Sequence, residues 1–435
     1  NSNTITIGAS GDTIALASGA SQSGFGREGS VNWQTSIKTS GFTAANGEGY
    51  FVDTTSGAIT VNLPSASVGN IVAFKDYKGN FQNNNLIISP NGSDKIDAVN
   101  GNATISTENA SITLVFADST RGWLNVNDST SVEGSEFITA TGGTITTVCT
   151  NFKVHTFTGP GTFCVSAGQG PLALADYLVV AGGGGGGFER GGGGGAGGYR
   201  ESPGTASGCY SVSPLGTSPA AAIPIVPGAI PVTVGAGGAI APARGTAAPN
   251  GSNSIFSGST SITSAGGGGG GSHPGPPQSG NNGGSGGGTI HACTTTPAGG
   301  TGNTPPVSPP QGNNGGPATT PVGSSYYYAS GGGGATAVGG ASSGSTNSGV
   351  GGAGATSSIN GTPTARAGGG GGGSNISPQS SPGGSGGGGN GGYGPSASTA
   401  GTANTGGGGG GGSGDPAGVG SVGGSGIVII RYRFQ

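Results

Sequence analysis

The chain has 435 residues and a formal net charge of −3, and charged side chains make up 7% of it, against about a quarter in ordinary globular proteins. With no basic cluster and no acidic block, nothing favours nucleic acid or an anionic membrane surface as a partner. Only 18 of the 106 glycines fall in residues 1–150, which hold 18 of the 29 charged residues, so a core built from side chains is expected only in that first part.

Residues 1–40 carry short alternations, Thr4-Ile-Thr-Ile7 and Thr13-Ile-Ala-Leu-Ala17. They read as a strand-rich shaft that buries too little apolar surface alone, which predicts pairing with other copies in a homo-trimer. Residues 41–134 read as an antiparallel β module, with strands at Tyr50–Asp53, Ile59–Leu63, Ile71–Phe74, Leu86–Ile88 and Ile112–Phe116 separated by turn residues. Trp123 is expected to close its core. Residues 135–175 form a junction, with a strand at Thr144–Val148 and a hairpin of Val154–Phe157 and Thr162–Val165 around Gly159-Pro-Gly161.

Residues 176–435 are organised on glycine runs at Gly182–Gly187, Gly191–Gly195, Gly266–Gly271, Gly331–Gly334, Gly368–Gly373 and Gly406–Gly412. Polyglycine on composition alone reads as flexible linker, since glycine loses the most backbone entropy on ordering. The flanks argue otherwise. Leu178–Ala181 leads into the first run and Ser261–Ser264 into the third. In the closing segment Ile430, Tyr432 and Phe434 fall on one face and Ile429, Arg431 and Arg433 on the other, the period of a half-buried strand. If the runs fold, they are expected as polyglycine II, with three residues per turn and no internal hydrogen bonds. Such helices must bond laterally through their backbones, because no Cβ holds them apart. A run of six spans roughly 19 Å. The fold class is therefore mainly β plus polyglycine II, almost without α-helix, with the non-glycine segments projecting as loops from a slab.

Gly47–Pro64, Ile71–Tyr77 and Gly122–Asp128 together resemble a module of tailed-phage virion proteins, especially those of marine phages. Tyr177–Gly184 and Gly423–Phe434 are similar to glycine-rich tail-fibre tips. The resemblance implies a virion fibre or adhesin, located on the tail or capsid, whose polyglycine loops contact a host receptor, a glycan or an outer-membrane protein, while the rest joins other virion proteins. The chain departs from separately encoded tips in carrying its own β module. A structural decorating fibre without receptor contact and an ice-binding protein are the alternatives.

Catalytic chemistry is not expected. Residues 151–435 hold only Asp176, Glu189, Glu201 and Asp415 as carboxylates and His155, His273 and His291 as histidines, and no Gly-x-Ser-x-Gly sits between a strand and a helix. The Gly-x-Gly-x-x-Gly strings lack a surrounding βαβ unit, so no nucleotide or other cofactor is implied. Cys149, Cys164, Cys209 and Cys293 allow three pairings and show no metal-ligand spacing. Prolines between Ala220 and Ala243 forbid a membrane-spanning helix there. What stands out is the content of the loops. Tyr326, Tyr327, Tyr328, His273, His291, Phe188 and Arg190 are the receptor-contact candidates, because aromatic faces stack on sugars and tyrosine adds a hydroxyl at low entropic cost. For Phe188, Tyr199 and Tyr393 packing at the slab's edges is the preferred reading, and for Tyr326–Tyr328 contact, since three consecutive rings cannot all face one core.

Overall fold

In the computed structural model the structure describes residues 31–126, 136–208, 210–274, 279–290, 296–318, 327–342, 347–375, 381–414 and 418–435. The chain divides into two compact units, Asn1–Gly134 and Ser135–Gln435. Among the described residues the secondary structure is almost all strand, with one 3-10 turn at Gly170–Leu172.

The first unit holds β1 (Asn32–Lys38), β2 (Phe42–Thr43), β3 (Glu48–Val52), β4 (Ile59–Asn62), β5 (Ile71–Asp76), β6 (Leu86–Ser89), β7 (Ala103–Ile105), β8 (Ser111–Asp118) and β9 (Gly122–Asn125). Every strand expected in this stretch is present. Their pairing corrects the antiparallel expectation. The first six strands alternate between two sheets, ordered β1-β3-β5-β8-β9 and β2-β4-β6-β7, and β1, β3, β5 and β2, β4, β6 pair in parallel. Only β7, β8 and β9 pair antiparallel. The chain thus winds as a coil, and its inward residues, Val52, Val61, Leu63, Phe74, Leu86, Ile88 and Leu114 among them, fill one core. Trp123 lies fully buried in that core with its ring edge-on to Phe116, as the sequence predicted. Asn32–Lys38, expected in a separate shaft, is the edge strand of this coil; the strands expected at Thr4–Ile7 and Thr13–Ala17 lie outside the described residues.

The second unit starts as an antiparallel sandwich. Its strands are β10 (Glu136–Thr141), β11 (Thr144–Val148), β12 (Phe152–Phe157), β13 (Gly161–Gln169), β14 (Leu174–Val180), β15 (Tyr199–Glu201), β16 (Ile223–Pro224), β17 (Gly228–Thr233), β18 (Ser254–Ser257), β19 (Ser261–Ser264), β20 (Ala355–Ser357), β21 (Thr364–Arg366) and β22 (Ile427–Arg433). One sheet runs β11-β12-β22-β14-β15, with β16 also on β14; the other runs β10-β13-β17-β18-β19. Phe163, Tyr177, Val179, Phe256, Ile430 and Tyr432 pack between them. The opposite face of the first sheet, with Leu178, Val180, Tyr199, Ile427 and Ile429, is covered by Ala196, Ala335, Ile359 and other residues of the glycine-rich part. The terminal strand forms where the alternation predicted, but it is central and buried on both faces instead of half-buried, with Ile429 and Arg431 as inaccessible as Ile430 and Tyr432 because the glycine-rich part covers the second face. The expected hairpin is not formed: β12 and β13 flank Gly159-Pro-Gly161 but belong to opposite sheets, because Phe157 and Phe163 both point into the core between them. The hairpin of this region is β11–β12, turning through Cys149 and Thr150 at positive φ. Residues 135–175 are thereby part of the sandwich.

His155 of β12 is fully buried between Phe163 and Tyr432. Its Nδ1 lies 2.7 Å from the Gly142 carbonyl, which can only accept, so Nδ1 carries the proton and Nε2 accepts from the Tyr432 hydroxyl at 3.0 Å. Burial pushes the imidazole pKa down, aided by nearby Lys153 and opposed by the Gly142 bond. The folded unit therefore binds this proton less readily than the unfolded chain. Its contribution to stability is complete above the unfolded value of about 6.5 and is lost as pH falls from there toward the lower folded value. The expected result is a thermal midpoint that falls as pH is lowered below about 6.5 in the wild type, with the fall reduced in His155→Gln. An identical pH profile in the two proteins would show that another group carries it.

Strands then become glycine helices. The run Gly182–Gly187 follows β14, Gly235–Gly238 follows β17, Gly266–Gly271 follows β19, and Gly418–Gly426 leads into β22. In the first run the N–H groups of Gly182 and Gly185 donate to Ser252 and Pro249, those of Gly183 and Gly186 to Gly424 and Ser421, and those of Gly184 and Gly187 to Gly195 and Gly192. Its carbonyls accept from Gly267 and Gly270, from Gly409 and Gly412, and from Gly238. A step of three residues for each neighbour is the threefold repeat of polyglycine II, and six neighbours surround the run. The second run repeats the arrangement: Gly192 and Gly195 donate to Gly271 and Gly268, Gly193 and Ala196 to Ser330 and Gly333, and Gly194 and Gly197 to Gly409 and Gly406. The glycine runs are buried. Their core is made of backbone.

Candidate recognition surface

The direction of each helix fixes where its loop emerges. Gly182–Gly187 leaves β14, so Phe188-Glu-Arg190 lies at the end of the bundle away from the sandwich. Gly266–Gly271 runs parallel to it from β19 and delivers Ser272 and His273 to the same end; Gly235–Gly238, leaving β17, sends Arg244 there. The second run returns toward the sandwich, and Ser330–Gly333 runs parallel to that return, so Tyr327, just before it, also lies at the far end.

Three of these loops meet at Glu189, and the fourth joins them through Arg190. Its carboxylate is 2.9 Å from the Arg244 guanidinium, 3.9 Å from His273 Nδ1 and 4.0 Å from Arg190. The Arg190 guanidinium lies over the Tyr327 ring at 4.3 Å, and Arg244 over Phe188 at 6.0 Å. Backbone bonds hold the frame. Phe188 N–H donates to Ser272 Oγ at 2.8 Å, Phe188 C=O accepts from His273 N–H at 3.2 Å, Glu189 N–H donates to Gly418 C=O at 2.9 Å, and Tyr327 N–H donates to Asn375 Oδ1 at 2.8 Å. Glu189 and Arg190 adopt φ of 41° and 54°, the left-handed region that costs a side chain and not a glycine. In a chain that supplies glycine throughout this bundle, two charged side chains are retained at strained positions.

The sequence candidates Phe188, Arg190, His273 and Tyr327 are thus brought together. Tyr328 is not with them: it is buried and bridges to Ser374, so consecutive rings point to different sides. Tyr326 and His291 lie outside the described residues. Tyr199 is a buried packing residue whose hydroxyl donates to Glu201 at 2.9 Å, and Tyr393 forms bridges to Ser374 and Ser396. Glu189 as the hub and Arg244 as its exposed partner were missed. The available signal was the single carboxylate between two glycine runs in a region with only four carboxylates.

Cations over rings, with one shared carboxylate, can stack on and hydrogen-bond a ligand reversibly. Among the described residues no group of three or more His, Cys, Asp or Glu is placed to hold a metal, and no helix is long and apolar enough to cross a membrane. Cys149 and Cys164 are exposed on the sandwich, while Cys209 and Cys293 lie outside the described residues.

Fold and surface together define a class: a β-sandwich whose strands extend into a backbone-packed glycine bundle with loops gathered at its far end. Residues 156–433, from within β12 to the last residue of β22, match the model of the glycine-rich domain family, and the chain belongs to that family. No curated protein matches the chain.

Proposed function

We propose that the chain is a virion fibre or adhesin of a tailed phage that recognises the host surface, without catalysis, through loops at the far end of the glycine bundle. The observation that carries this reading is the convergence of three loops on Glu189 and of a fourth on Arg190, which stacks on Tyr327, with Arg244 beside Phe188. A rigid scaffold that spends side chains almost nowhere else places rings and cations together at its tip, which is how binding loops concentrate affinity. The partners are other virion proteins and a host receptor, a glycan or an outer-membrane protein. Assembly as a homo-trimer through the N-terminal segment is part of the proposal, supported by edge strand β1 leaving Trp33 and Ile37 exposed.

Particles carrying Tyr327→Ala or Arg190→Ala are expected to adsorb to host cells about tenfold more slowly, the loss of one central contact. The unfolding temperature of the purified chain should stay the same, and its sedimentation should give the mass of three chains. Unchanged adsorption with both variants would overturn receptor contact and leave a structural fibre; a monomer in sedimentation would overturn the trimer.

A further inference from the structure

A second feature lies at the sandwich, away from the loops. A hollow of about 200 Å³ opens where β14, β15, β16 and β19 meet, lined by Tyr177, Arg200, Ala222, Ile223, Thr260 and Ile262. Its walls are mainly apolar, and it has a single charge. The Arg200 guanidinium makes one long hydrogen bond, 3.5 Å to the Thr263 carbonyl, and no carboxylate stands within ion-pair distance of it among the described residues. The adjacent Glu201 cannot serve. It points to the other face of β15, where it accepts from the Tyr199 hydroxyl, the Ser213 N–H and the Ser357 hydroxyl.

Two other arginines of this unit are engaged differently: Arg190 lies on a ring and near Glu189, and Arg431 donates to two carbonyls between two rings; buried Arg366 also makes one long hydrogen bond, 3.4 Å to the Thr364 carbonyl, but does not line this hollow. A guanidinium has five N–H donors in a fork that matches a carboxylate. Arg200 uses one of those donors within the protein, at 3.5 Å, and lines a concave, largely apolar space. Pockets that bind small molecules combine such walls with a few polar groups that fix orientation.

We propose that this hollow is a binding site for a small carboxylate with an apolar body. The carboxylate pairs with Arg200, its chain lies against Ile223, Ile262 and the Tyr177 ring, and the Thr260 hydroxyl lines the mouth. At about 30 Å³ per water-sized group, the space holds roughly six to seven heavy atoms, the size of a four- to five-carbon acid. The site is independent of the proposed role of the far-end loops.

The test is titration of the full chain with pentanoate and with its neutral isostere pentanamide, followed through the methyl resonances of Ile223 and Ile262. Pentanoate is expected to shift both and to bind about tenfold more tightly than the amide, the contribution of one charge-assisted pair. Arg200→Gln should abolish that preference. Ala221→Trp, which fills the space from an exposed position and leaves the charge in place, should block both ligands. Equal binding of acid and amide, a preference that survives Arg200→Gln, binding undisturbed by Ala221→Trp, or no shift with either compound would each overturn the proposal.

Discussion

Alanine at Gly184, Gly269 or Gly370 will lower the unfolding temperature of the second unit in the intact chain by about 6–12 °C each, although alanine is the better residue by intrinsic propensity. The reason is contact between backbones. A Cβ on Gly184 would stand well inside 3.0 Å of the Gly268 carbonyl oxygen, one on Gly269 would meet the Ala248 carbonyl, and one on Gly370 the Gly409 carbonyl. None of these obstacles is the end of a flexible side chain. Relief requires two hydrogen-bonded helices to separate, and each belongs to a lattice in which it has further partners. Overpacking in ordinary cores costs about 1–3 kcal/mol because side chains can shift; here the cost is expected at or above about 3 kcal/mol. Gly159→Ala supplies the control, since a Cβ there meets nothing within 4 Å, and it should be neutral to within about 0.5 kcal/mol. The chain's own Ala196 makes the same point. It interrupts the glycine series only where the run faces the apolar surface of the sandwich with Leu178 and Val180. Three substitutions as neutral as the Gly159 control would mean that the runs are tethers, for which glycine-to-alanine changes cost little.

The individual elements were legible in the sequence to a degree that their partners were not. Ile59–Asn62, Ser261–Ser264 and Ile427–Arg433 form where period-two alternation marks them, because a strand needs only local pattern, although Ile427–Arg433 is buried on both faces and not on one. Pairing direction in the first unit was not legible. Short strands joined by turns suggest hairpins, yet β1 to β6 pass alternately between two sheets, and nothing in a four-residue strand records which sheet it joins. Gly159-Pro-Gly161 misled for a related reason: a turn between two strands reads as a hairpin, whereas here it is a corner that carries Phe157 and Phe163 to facing walls of one core. The polyglycine helices were legible because only one conformation lets six glycine backbones satisfy one another. The surface was half legible. Phe188, Arg190, His273 and Tyr327 stand out as side chains in a glycine-rich setting. Their meeting around Glu189 and Arg190 depends on helices that are distant in sequence and adjacent in the bundle, with Arg244 arriving from a fourth segment of chain.

Arg431→Ala will cost about 3–5 kcal/mol of the second unit's stability, the loss expected when one member of a buried polar arrangement is removed. Arg431 sits on the central strand β22 with no exposed surface. Its guanidinium is held between the rings of Phe152 and Tyr210, at 4.9 and 4.8 Å, and donates to the carbonyls of Ile359 at 3.2 Å and Gly208 at 3.0 Å. Directly opposite on β14 is Asp176, equally buried, whose carboxylate accepts from Ser202 Oγ at 2.8 Å and from Ser207 N–H at 2.7 Å. The two residues therefore tie separate connecting segments to one face of the sheet and set opposite charges at facing positions of two buried strands. Two explanations of the loss can be told apart. If Arg431 acts by filling space, Arg431→Met will be nearly neutral. If it compensates Asp176, Arg431→Met will be almost as damaging as alanine, and adding Asp176→Asn will recover most of the loss, since a neutral pair leaves no buried charge unbalanced. The geometry favours the second outcome, and a double-mutant cycle on the thermal midpoint reads it as a coupling of about 1–3 kcal/mol. Strictly additive losses would place the two side chains in independent roles.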